Sequence, residues 1–292
     1  MPAQNLHGLM ADRTDPLGQA VAWWPLNEGA GEGANNIGTA TCRGLLKNGA
    51  RYGGLNGMHG VLFDGTDDFV EINSLRGIAQ LCGQGQHTIC AWVSTRAATT
   101  RQLFLGDWHS GGDGGTGFEI RTDSQFQYWM KSTPYVNNTA IGGTVVTTRP
   151  QFVVGVYDLS FVHLYVDAVR VASTAVAGLI VNDEATLDLT LGRTGGYSGL
   201  YFNGMLSNVR LYNRALTGAE IHRLYANPMA GAKIPNIARL YKAATAPASP
   251  SPVVSLQNMS GYPRLVRGVG NLSGSARTIS QKGNLSGWPK LT

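Results

Sequence analysis

Paired carboxylates are the first chemistry to seek in this chain. Glu119 and Asp123 lie four residues apart, beside a turn and with Arg121 between them; Asp67-Asp68 and Asp183-Glu184 are adjacent acids in a turn and a loop. Glycoside hydrolysis needs two carboxylates facing one sugar across a cleft. None of these pairs reads that way, and no Ser/His/Asp or Cys/His arrangement stands out. No catalytic residue is assigned, and the chain is read as non-enzymatic. Sugar binding asks instead for exposed rings that stack on the apolar face of a sugar, beside polar groups that fix its hydroxyls. Trp108 with His109, in a glycine-rich loop that also holds Asp113, is the leading candidate. Trp129, Tyr135, Asn137 and Asn138 follow, and Tyr197 and Tyr201 complete the set. Each has a plainer role beside the functional one: Trp129 sits in an alternating pattern that suits a core, and the two later tyrosines could cover a sheet edge.

These side chains must be positioned by strands. Val21–Leu26, Val61–Phe63, Phe69–Ile72, His87–Ser94, Gln102–Leu105, Phe118–Arg121, Phe126–Met130, Gln151–Tyr157, Val162–Val166, Val169–Val176, Leu187–Leu191 and Asn203–Tyr212 read as short strands separated by turn residues. Asp64-Gly65-Thr66-Asp67-Asp68 reads as a hairpin-type turn. A dozen such strands predict a sandwich or barrel. One helix closes the series: Thr217 is its N-cap, Glu220 the capping-box partner three residues on, and Pro228 its stop.

Composition agrees. There are 39 glycines and only 14% charged residues, which suits many strands and tight turns, and a 43% hydrophobic share supplies a core. The net charge of +5 is unevenly spread. Met229–Thr292 carries eight basic residues and no acidic one, so the first 228 residues hold 15 of the 23 basic and all 18 acidic residues. Ala243–Pro252 is a Pro/Ala/Ser linker, and Gly270–Gly274 recurs as Gly283–Gly287 in the basic segment beyond it. Three cysteines give no disulfide framework, and Cys90 reads as a buried free thiol. Met1–Ala20 has no apolar run, so no secretory leader is expected; the chain is expected to be made in the cytoplasm, and no stretch approaches membrane-spanning length.

Several segments together resemble the laminin-G-like jelly-roll family of the concanavalin A-like lectin/glucanase superfamily. They are Ala22–Gly29, then Leu62–Val70 (LFDGTDDFV), Thr88–Val93, Val156–Asp158 with Leu164–Asp167, and Leu191–Arg193 leading to Phe202–Leu216. The resemblance implies an all-β, two-sheet antiparallel jelly-roll sandwich over residues 20–227, with Trp92, Val93 and Tyr157 packed between the sheets. Residues 1–19 would be an N-terminal arm and 228–292 an extended basic C-terminal arm. Calcium is the ion the resemblance implies, with ligands at Asn27, Glu28 and Asn36. Asn35, Asn36 and Ser207 stand where the family commonly has acids, which removes charge from that site, so no obligate cofactor is expected.

The function expected is therefore a non-catalytic binding or adhesion module. Its expected setting is a phage-type virion, as a capsid decoration or tail/fibre protein. The sandwich would display a lectin-like face at the virion surface. The C-terminal arm would dock on a capsid or tail protein through Arg239, Lys242, Arg264, Arg267, Arg277 and Trp288. A glycan ligand and a homo-oligomer are expected, with no membrane and no specific nucleic acid as partner. The alternative is a free carbohydrate-binding lectin-like protein, and a glycoside hydrolase is the least favoured reading.

Overall fold

The computed structural model describes residues 9–76, 78, 85–107, 115–132, 136–177, 188–193 and 199–233. In chain order the strands are β1 (Met10–Ala11), β2 (Ala22–Trp24), β3 (Gly33–Asn35), β4 (Arg43–Lys47), β5 (Arg51–Leu55) and β6 (Met58–Asp64). There follow β7 (Phe69–Arg76), β8 (His87–Thr95), β9 (Gln102–Gly106), β10 (Thr116–Ile120), β11 (Gln125–Ser132) and β12 (Val136–Thr144). The last are β13 (Gln151–Tyr157), β14 (Phe161–Val166), β15 (Val169–Ala175), β16 (Asp188–Leu191), β17 (Asn203–Tyr212) and β18 (Ala232–Lys233). Helix α1 (Gly218–Ala226) lies between β17 and β18.

Two antiparallel sheets form the sandwich among the described residues. The first runs β12-β11-β10-β9-β16-β7-β4-β3. The second runs β15-β14-β13-β8-β17-β6-β5, with β2 also paired to β17. Their facing sides bury Phe104, Phe118, Phe126 and Tyr128 from the first sheet against Phe63, Val93, Val153 and Tyr157 from the second. Alternation makes this possible, because every second residue of a strand faces the same way. Val93 and Tyr157 thus sit where the sequence places them.

The second sheet is covered on both faces, so β13 (QFVVGVY) is buried at every position. Its outer face packs Trp23, Cys90, Phe152, Val154 and Tyr212 against Ile221 and Leu224 of α1. Trp92 belongs to this outer side: its ring stacks on Tyr225 of α1 at 5.7 Å and 11° and lies 5.3 Å from Phe152. The expectation that Trp92 lies between the sheets is corrected. Trp92 and Val93 are neighbours on one strand, and only one of them can face inward.

The turn at Asp64–Asp68 also differs from expectation. β6 pairs with β5 and β17, whereas β7 pairs with β4 and β16 in the other sheet. The turn is a corner between sheets, not a hairpin. Gly65 takes the left-handed backbone (φ +85°) that the corner needs, and Asp68 closes it by accepting from the Asp64 amide at 2.9 Å.

The compact body is wider than the span 20–227 expected for the domain. β1 pairs with β18, Leu17 is fully buried, and Ala230 is nearly so. Buried Arg210 donates to the Ala230 carbonyl at 2.7 Å and to the Pro228 carbonyl, and its guanidinium lies 3.5 Å over the Trp23 ring. The segment after α1 is thereby tied to the last long strand. The docking-arm residues Arg239, Lys242, Arg264, Arg267, Arg277 and Trp288 lie outside the described residues. Among those described, no helix is long and apolar enough to cross a membrane.

Candidate functional site

The outward face of the first sheet carries a groove of about 420 Å³ across β9 to β12. Its residues are the outward half of each strand's alternation. Phe118 and Ile120 of β10 face the core, which turns Gly117 and Glu119 outward; Phe126, Tyr128 and Met130 of β11 do the same for Gln127, Trp129 and Lys131. β12 adds Asn137, Thr139 and Ile141, and Leu103 comes from β9 with Arg101 just before it.

Strand register sets the layout. Glu119 stands opposite Leu103 on one side and Gln127 on the other, and Gln127 stands opposite Ile141. The next row is Gly117, Trp129 and Thr139, and beyond it Lys131 faces Asn137. Gly117 lies beneath the Trp129 indole. A Cβ there would fall 2.7 Å from Cζ2 of Trp129, so only a residue without a side chain lets the indole lie across β10. Trp129 is 7% exposed, set into the floor rather than standing from it.

Charge is concentrated at the other end. Glu119 is buried, and its Oε2 accepts from Nε and Nη2 of Arg101 at 3.0 and 2.8 Å. Arg121 gives Nη1 to Gln127 at 2.9 Å and Nε to Asp123 at 3.1 Å. The two acids read from sequence as a spaced pair are thus each paired with an arginine. Among the lining residues Glu119 is the single carboxylate, against Arg101, Arg121 and Lys131.

Of the sequence candidates, the groove unites Trp129 and Asn137. Tyr201 is half-buried and not in the lining; it follows Leu200, whose carbonyl accepts from the Leu103 amide. Trp108, His109, Asp113, Tyr135 and Tyr197 lie outside the described residues. Sequence reasoning missed Arg101, Gly117, Gln127 and Lys131. The signal for the β11 pair was the period-2 run Gln127, Trp129, Lys131, which fits a tryptophan on an open face as well as one in a core.

The expected calcium ligands do not fit as a set. Asn36 Oδ1 accepts from the amides of Trp23 and Gly38, each at 2.7 Å, and its Nδ2 donates to the Ala40 carbonyl at 2.6 Å and to Cys42 Sγ. An amide used in this way stitches the loop by itself and offers a cation nothing. Glu28 spends one oxygen on the Asn35 amide at 2.6 Å, while Asn27 is half-buried. Asp64, Asp67 and Asp68 bring their carboxylates within 4.8 Å at the corner turn. Burial, with Asp64 and Asp67 adding to it, pushes the Asp68 carboxyl above its ordinary value. Cys90 is a buried free thiol whose burial pushes it up to about 12, an unreactive state.

A laminin-G family model, described as Concanavalin A-like lectin/glucanases superfamily, matches residues 64–222. No curated protein is matched in sequence. Among solved structures, the Trypanosoma rangeli sialidase in complex with 2,3-difluorosialic acid superposes with a TM-score of 0.55 at 16% identity. The superposition covers 74% of this chain and 34% of the sialidase, so the chain spans about a third of that enzyme. Domain 4 of AbnA, a Geobacillus stearothermophilus arabinanase solved with arabinotriose, gives 0.53 at 14% identity over 71% of this chain and 98% of that domain. The botulinum neurotoxin serotype D binding domain gives 0.55 at 9% identity over 73% and 51%. At these identities the likeness is one of fold.

Proposed function

Because the chain belongs to the concanavalin A-like lectin/glucanase superfamily, we propose that it is a non-catalytic carbohydrate-binding module whose ligand lies in the groove over β9 to β12. One observation carries this reading: the Trp129 indole is seated over Gly117 between the Arg101–Glu119 pair at one end and Lys131 and Asn137 at the other. An apolar floor with amide, hydroxyl and charged groups around it is the chemistry that holds a sugar by stacking and by its hydroxyls. The non-catalytic part of the reading is supported by the lining: its one carboxylate is held by Arg101, and no second acid faces it there.

The test is a glycan array followed by calorimetry on the full chain. Trp129→Ala is expected to weaken binding at least about tenfold, from the loss of a stacking floor. Binding unchanged in a folded Trp129→Ala protein would remove the groove from consideration. Release of reducing sugar from a bound polysaccharide would overturn the non-catalytic reading. The wider setting, a phage-type virion, is supported by the acid-free basic stretch from Met229 to Thr292 alone. Its test is co-sedimentation with assembled particles, expected to be lost when that stretch is deleted.

A further inference from the structure

We infer that the groove selects an anionic sugar, one whose ring carries a carboxylate or a sulfate ester, and that the Arg101–Arg121 end receives the charge. This rests on the groove being the sugar site proposed above.

The two arginines are fixed before any ligand arrives. Glu119 takes Nε and Nη2 of Arg101, and Asp123 and Gln127 take Nε and Nη1 of Arg121. Among the described residues, Nη1 of Arg101 and Nη2 of Arg121 have no protein acceptor. Arg101 is thus anchored along its Nε–Nη2 edge and Arg121 at Nε and Nη1, which leaves one Nη group of each to donate elsewhere. Planar, pre-oriented N–H donors are what an oxyanion group needs, and little side-chain entropy is lost on engaging them. A neutral sugar would use the same donors through hydroxyls, without the charge assistance.

The charge balance points the same way. Glu119 and Asp123 are each held by an arginine and Asp123 stands outside the lining, so the groove's own lining sets Arg101, Arg121 and Lys131 against one carboxylate. Arg101 and Arg121 are 53% and 35% exposed along their side chains, so an incoming anion meets them in a partly screened setting. The attraction should therefore weaken as salt rises.

The experiment uses the full chain and matched oligosaccharides by calorimetry: lactose, 3′-sialyllactose, a galacturonic acid trimer and a sulfated lactose, each at low and at high sodium chloride. The expected result is that an acidic sugar binds about tenfold or more tighter than its neutral partner, and that salt erases the difference. Whether the carboxylated or the sulfated sugar wins identifies which oxyanion is read. Arg121→Gln, at a half-buried position, is expected to weaken the acidic sugar more than the neutral one, so that the acidic preference is lost. Arg101→Gln alone strands a buried Glu119, so the paired change Arg101→Gln with Glu119→Gln is the second variant. Equal binding of neutral and acidic sugars, or a preference unmoved in both variants, overturns this inference and leaves the sugar site standing. Binding of neither kind overturns the sugar site and this inference together.

Discussion

At the scale of single residues, acid sensitivity should trace to His87. Its ring is fully buried, with Nε2 2.8 Å from the Tyr128 hydroxyl and the Tyr157 ring 5.5 Å away. Burial pushes its pKa down to about 4. The unfolded chain takes up that proton near the ordinary value of about 6.5. Between these values the unfolded state binds more protons, so stability falls as pH drops from about 6.5 to about 4 and is flat on either side. The span is worth on the order of 3 kcal/mol. His87→Gln keeps a hydrogen-bonding group and removes the titration. Its melting temperature, followed by circular dichroism, is expected to change less than that of the parent between pH 7 and pH 4.5. Parallel curves would show that some other group governs the acid limb.

At the scale of elements, α1 offers the cleanest measurement. Thr217 accepts from the Glu220 amide at 3.3 Å, and Glu220 returns the bond to the Thr217 amide at 2.9 Å while gripping Arg214 with both oxygens. Thr217→Ala should cost about 1 kcal/mol, read by chemical denaturation. Arg214 first, then Thr217, holds the Glu220 carboxyl down to about 2, so its contribution is present above the ordinary carboxylate value and is lost as pH falls toward 2. The cap was legible in sequence because its chemistry is local, and so were β8, β11, β13 and β17, whose apolar runs or alternation are long. β12 was not. Its inward residues include Asn138 and Ala140, and two glycines follow, so it offers no hydrophobic period to detect. The corner at Asp64–Asp68 misled for a related reason: Asp and Gly build the turn whether the next strand returns to its own sheet or crosses to the other. The groove was half legible. Trp129 and Asn137 stood out as residue types, but their meeting with Arg101 and Glu119 depends on register between β9, β10, β11 and β12, which no local pattern encodes.

At the scale of the whole molecule, the boundaries of the stable body decide what can be produced and tested. The described residues end the sandwich with a clasp in which the chain before β2 and the chain after α1 hold each other. β1 pairs with β18, the Tyr212 hydroxyl donates to the Leu17 carbonyl at 2.9 Å, and Asp15 pairs with Arg223. Arg210 has no carboxylate beside it; among the described residues its charge is satisfied by Asn208, the Tyr212 hydroxyl, the carbonyls of Pro228 and Ala230 and the Trp23 ring. Cutting the chain to residues 20–227 removes Leu17 and both carbonyls, and with the carbonyls two of the acceptors that satisfy the guanidinium. A buried cation stripped of acceptors costs several kcal/mol. Loss of a fully buried leucine adds roughly 2 kcal/mol. A domain of this size shifts by about 2–4 °C per kcal/mol. The 20–227 fragment is therefore expected to melt at least about 10 °C below a 9–233 fragment, and to recover part of that loss when Arg210 is replaced by Met, which removes the stranded charge. Equal melting of the two fragments would show that the clasp decorates the sandwich without supporting it.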